Sequence, residues 1–182
     1  MNRLDSTELV TDNKSRPHVR LPQGVMGHCL ININQTHYLL AGGLAGTGYD
    51  SKSKLSTAYL YSEESGFIRI EDMKTARRNH GCSVINNTTV LVTGGWAIAD
   101  ELMSSEFLDL TTMTWSAGPE LLNLAIPARM VGNILIKWRN IFKLEEILAE
   151  RKQWRWTEVG EMTDYRTYAQ AFVVDKNMFC KN

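Results

Sequence analysis

The residues of this 182-residue chain whose types suit chemistry are its four histidines, three cysteines and a set of arginines. His28 and His80 occupy corresponding places 52 residues apart, and two adjacent imidazoles can hold a metal. A histidine repeated at a strand start more often hydrogen-bonds a turn, and no metal is expected here. Arg77, Arg78, Arg129 and Arg166 carry planar forks that suit a carboxylate. Because Arg77, Arg129 and Arg166 recur in one position, a structural tie to an acid of the adjacent unit is the favoured role for those three. Cys29, Cys82 and Cys180 are too few and too scattered for a metal ribbon or a disulfide scaffold, and the odd count leaves at least one thiol free. They are expected as buried thiols in strands. No carboxylate pair or nucleophile with a base stands out, and GGLAGTG (Gly42 to Gly48) lacks the Lys-Ser/Thr of a phosphate loop. The reading is of a chain without catalytic residues or a cofactor.

The elements that position these residues come from an internal repeat. HCLININQTHYLLAGG (His28 to Gly43) aligns without gaps on HGCSVINNTTVLVTGG (His80 to Gly95). Each copy has β-branched and aromatic residues around a polar Asn-x-Thr turn and no 3.6-residue period, so each predicts a hairpin. A second signature follows, in FIRIEDM (Phe67 to Met73), WSAGPEL (Trp115 to Leu121) and WTEVGEM (Trp156 to Met162). Met73 to Leu91 also aligns on Met162 to Cys180, so a fourth unit begins there. The twin glycines permit positive φ or close approach of another backbone, and Trp115 can cover apolar area between sheets.

The twin glycine, a polar-tipped third strand and an aromatic opening the fourth resemble the kelch repeat, the four-stranded blade of a β-propeller. The residues that carry the resemblance are Gly42-Gly43, Leu60 and Phe67 in one copy and Gly94-Gly95, Leu108 and Trp115 in the next, with equal spacing. Kelch blades usually have Tyr where Leu60 and Leu108 stand and Trp where Phe67 stands, so this is a diverged member. The resemblance implies an all-β partial propeller: a blade over 28–73, a blade over 80–121, a degenerate blade over 129–162 and a truncated one over 166–182. It also implies a non-catalytic interaction module, binding a protein or peptide through loops on one rim. These loops are Leu44 to Leu55 and Trp96 to Met103 after the second strand, and Lys74 to Asn79, Leu122 to Ala128 and Thr163 to Thr167 between blades. The implied contact residues are Trp96, Arg77, Arg78, Asn79, Tyr49, Arg129 and Arg166. Packing of Trp96 beneath its own loop is the competing reading. A fragment of a ubiquitin-ligase substrate adaptor fits the resemblance, with an extracellular glycoprotein as second reading and a galactose-oxidase-like enzyme as a lesser one.

The third unit is shorter. Arg77 to Trp115 spans 38 residues and Arg129 to Trp156 only 27, with no twin glycine, so about one strand is expected to be missing. Asn140 to Gln153 combines helical features with the context of a strand pair, and distorted strands are favoured over a helix. Residues 1–20 are polar and charged and read as a disordered lead. The alignment runs out in mid-blade, so the chain is expected to be a fragment, a short isoform or a decayed copy, prone to self-association through open sheet edges.

Twenty basic and twenty acidic residues cancel, and no cationic run marks a nucleic-acid or membrane partner. No stretch approaches the roughly 18 apolar residues of a membrane helix, and the first ten residues lack a secretory apolar core. A cytoplasmic location is expected. Sequons at Asn13, Asn34, Asn86 and Asn87 leave a secreted alternative open, although Asn and Thr also suit turns on their own account.

Overall fold

The computed structural model describes residues 5–11, 14–45, 55–97, 100–121, 129–137, 140–148 and 153–163. Among them every regular element is a β-strand. β1 (Glu8–Thr11) and β2 (Lys14–Pro17) form an antiparallel hairpin where the sequence reads as a disordered lead. β3 (Val25–Met26) precedes β4 (Cys29–Asn32) and β5 (Tyr38–Ala41). The short β6 (Leu44–Ala45) returns to pair with β3, and β7 (Ala58–Ser62) and β8 (Gly66–Arg69) complete a sheet of order β4-β5-β7-β8. β9 (Gly81–Asn86), β10 (Thr89–Thr93), β11 (Ser105–Asp109) and β12 (Thr114–Ala117) form a second antiparallel meander. A third comprises β13 (Arg129–Val131), β14 (Ile134–Lys137), β15 (Asn140–Leu148) and β16 (Gln153–Glu161).

Turn chemistry ends these strands as the residue types require. Asn34 Oδ1 accepts from the backbone N–H of Thr36 at 3.0 Å and of His37 at 2.9 Å, and Asn86 Oδ1 accepts from Thr88 N–H at 2.9 Å. A short polar side chain thus closes each tip by taking the bonds the ladder gives up.

The three sheets pack face to face. Leu39, Ala41 and Ala58 of the first share one buried cluster with Met73 and with Val90, Val92, Leu108 and Trp115 of the second. Leu91 and Leu121 instead join Leu135, Phe142, Leu144 and Trp156 of the third. Successive side chains of a strand point to opposite faces, so Val90-Leu91-Val92 serves both interfaces. This explains an apolar run in place of alternation: the second sheet is covered on both sides. The first strands β4, β9 and β13 neighbour one another in that order, the side on which the sheets converge.

Of the two readings of residues 140–153, the favoured strands are what forms: β15 pairs with β16 along its length and with β14 over its first four residues. One expectation is corrected. No strand is missing from the third sheet. The shortening falls on the connection after the second strand, where residues 138–139 replace the stretch from Gly94 to Ser104 of the second sheet. A ladder strand carries core side chains on its faces, whereas a loop can be shortened without opening the core.

The cysteines also differ from the reading as free thiols. Cys29 of β4 and Cys82 of β9 are joined as a disulfide, with Cα atoms 6.2 Å apart, tying the first strands of adjacent sheets. Cys180 lies outside the described residues, as does the truncated unit over 166–182.

Candidate partner-binding rim

The chain from Met73 to His80 links the first two sheets, and three of the implied contact residues meet at its end. Arg78 and Trp96 form an antiparallel bridge: Arg78 N–H donates to Trp96 O at 3.1 Å and Trp96 N–H to Arg78 O at 2.9 Å. The Arg78 guanidinium lies 5.8 Å from the centroid of the Trp96 ring, within cation–π range. Both side chains are half-buried. Trp96 also bridges Glu101, and Ala97 N–H donates to Asp100 O at 3.0 Å, so the loop is pinned at both ends. Asn79, with φ 52, donates its N–H to Gly27 O at 2.7 Å. Left-handed backbone is uncommon for a residue with a Cβ, and Asn tolerates it best.

The twin glycines make this junction possible. A Cβ on Gly42, at φ +65, would lie 2.6 Å from Arg77 O; one on Gly95, at φ +90, would lie 2.6 Å from Arg78 O. Both reasons for a strand-end glycine, positive φ and close backbone approach, act at once.

Arg77 does not reach the rim. Its side chain is fully buried and donates to Gly94 O at 2.9 Å, Ser104 O at 3.0 Å and Glu106 Oε1 at 2.9 Å. Glu106 is buried too, and its carboxylate accepts the N–H groups of Lys74 at 2.7 Å and Thr75 at 3.0 Å. The structural tie is therefore the role that Arg77 fills. Burial lowers its pKa and Glu106 raises it again, and a guanidinium so paired stays charged.

Of the other implied contacts, Arg129 begins β13 and pairs with Ile136, and Tyr49 and Arg166 lie outside the described residues. Glu106 is a partner that sequence reasoning missed, although an acid two residues before Leu108, in a unit preceded by a repeated arginine, was a usable signal. Trp115 acts as the read packing residue: its ring is in the first core and its Nε1–H donates to Glu71 O at 2.7 Å.

His80 packs its ring against Gly42 and is buried. Desolvation, then the charge of Arg77 and then His28, push its pKa down to about 3, with the Arg77 carbonyl opposing. Burial lowers His28 as well. The folded state therefore binds fewer protons than the unfolded state, and the stability these neutral rings contribute is complete above about pH 6.5 and lost as pH falls towards 3. The urea midpoint is expected to fall steadily over this window, and a His80→Gln variant to show a flatter profile; equal slopes for both proteins would refute a neutral buried His80.

No protein-family model matches the chain, and no curated protein matches it.

Proposed function

We propose that the chain is a non-catalytic interaction module of the kelch type, its stacked four-stranded sheets being blades of an incomplete β-propeller. The observation that carries this reading is the convergence of Arg78, Asn79 and Trp96 where two inter-strand connections meet, on a side-chain platform held by backbone bonds. A tryptophan backed by an arginine offers a partner a large rigid surface, and such residues dominate binding hot spots. The guanidinium fork suits a carboxylate, so an acidic peptide is the partner class.

The test is Trp96→Ala in the full chain, with an array of acidic peptides as probe. Any peptide the parent binds is expected to lose about thirtyfold in affinity, the roughly 2 kcal/mol of a hot spot, with an unchanged urea midpoint. Equal binding by both proteins, or loss of binding only together with loss of fold, would refute the rim.

A specific observation favours the extracellular form of this reading over the cytoplasmic one. A disulfide between strands persists in oxidising compartments, and Cys29–Cys82 is such a bond. Asn34, Asn86 and Asn87 of three sequons are exposed at hairpin tips. We therefore propose the secretory route for the chain, with the adaptor role as the alternative.

A further inference from the structure

The outer face of the first sheet, away from the second, is aromatic. Register sets Tyr38 against Tyr61 and Tyr61 against Phe67, with Leu30 against Leu40 and Leu40 against Tyr59 beside them. The second sheet, by contrast, meets a neighbour on each face. Here Leu21 and Val25 cover Leu40, and Thr7, Glu8, His18 and Val19 stand beside the rest. Between them remains a cavity of about 570 Å³.

Tyr61 is the centre of this cavity. Its ring lies 4.8 Å from that of Phe67 and 6.2 Å from that of Tyr38, and His18 meets it edge-on at 5.8 Å. His18 Nε2 and the Tyr61 hydroxyl share a hydrogen bond of 2.7 Å. Three carboxylates stand among the polar groups of the lining. Glu63 and Glu64 project from the turn after β7 and Glu8 from β1, all exposed, and the lining contains neither lysine nor arginine among the described residues. Partial desolvation, then Glu63 and Tyr38, raise the Tyr61 pKa. Aromatic faces attract a cation through the ring quadrupole, and carboxylates at the mouth add a charge-assisted contact.

We propose that this cavity is a binding site for the basic side chain of a partner peptide, an arginine or lysine whose apolar stem lies on Tyr61 and Phe67 and whose charged head meets Glu63 and Glu64. Its chemistry is opposite to that of the rim, which takes an acidic peptide, and it stands whether or not the sheets belong to a propeller. A basic side chain also fits better than a purely apolar one, which would make no charge-assisted contact with Glu63 and Glu64.

The experiment titrates the full chain with acetyl-Ala-Arg-Ala-amide and with the same peptide carrying citrulline, a neutral isostere of arginine, following tyrosine ring resonances. The arginine peptide is expected to bind at least about threefold more tightly, the gain of a cation–π contact at a half-exposed site, and to weaken as salt is raised. Tyr61→Leu should abolish the difference. Glu63→Gln with Glu64→Gln, on an exposed turn that leaves the core intact, should reduce it by a similar factor. Equal binding of the two peptides, absence of binding, or ring shifts that follow protein concentration alone, as when a second copy covers the face, would overturn the proposal.

Discussion

Replacing Arg77 by methionine is expected to destabilise the protein by about 3–5 kcal/mol, the cost of leaving a buried charge without its partner. The loss has a definite physical source. Glu106 would keep the N–H groups of Lys74 and Thr75 but lose the guanidinium it is paired with, the carbonyl of Gly94 would lose the Arg77 donor, and that of Ser104 would keep the N–H of Gly94 alone. A buried acceptor without a partner costs its full desolvation, which exceeds the net worth of the bond it made. Arg77→Met with Glu106→Gln should recover part of the loss, since the stranded charge goes with its partner. Urea unfolding of the two single variants and the double gives the coupling directly. A single-variant loss below about 1 kcal/mol would mean that water reaches the pair, as it does for surface ion pairs.

Removing the disulfide comes next in size. The bond closes a loop with a sequence separation of 53, which in the chain-entropy treatment corresponds to roughly 4 kcal/mol of stabilisation. Cys82→Ser, or reduction of the parent, should lower the urea midpoint accordingly in a Cys180→Ser background that removes the third thiol. Protein from an oxidising expression host, unfolded without reductant, should present one titratable thiol, that of Cys180. Three thiols from such a preparation would remove both the bond and the case for the secretory route.

Strands and hairpin tips were legible in the sequence because their causes are local: alternation, β-branching, and an Asn whose side chain bonds its own turn. Twin glycines and Trp115 were legible as packing devices because a repeat displays them twice. What was not legible depends on contacts across the stack. Cys29 and Cys82 do not occupy equivalent places in the alignment, so the repeat gave no reason to pair them, yet adjacent first strands bring them together. The strands of the third sheet were obscured because Asn140 to Leu148 has the composition of a helix, and only pairing with β14 and β16 overrides that preference. The hairpin of β1 and β2 had too few apolar residues to announce itself.

The two joins in the stack differ in kind. The first and second sheets share an apolar cluster, a covalent bond and the Arg77 clamp, whereas among the described residues the join to the third rests on the cluster around Leu135 and Trp156 and the contact of β9 with β13. Local opening follows the weaker joint, so the molecule divides into a durable pair of sheets and a third that can exchange with solvent earlier. The rim belongs to the durable part. A partner seated on Trp96 would thus be held by the portion of the fold that opens last, while the third sheet, which lacks the corresponding loop, is free to vary its stability without disturbing what is bound.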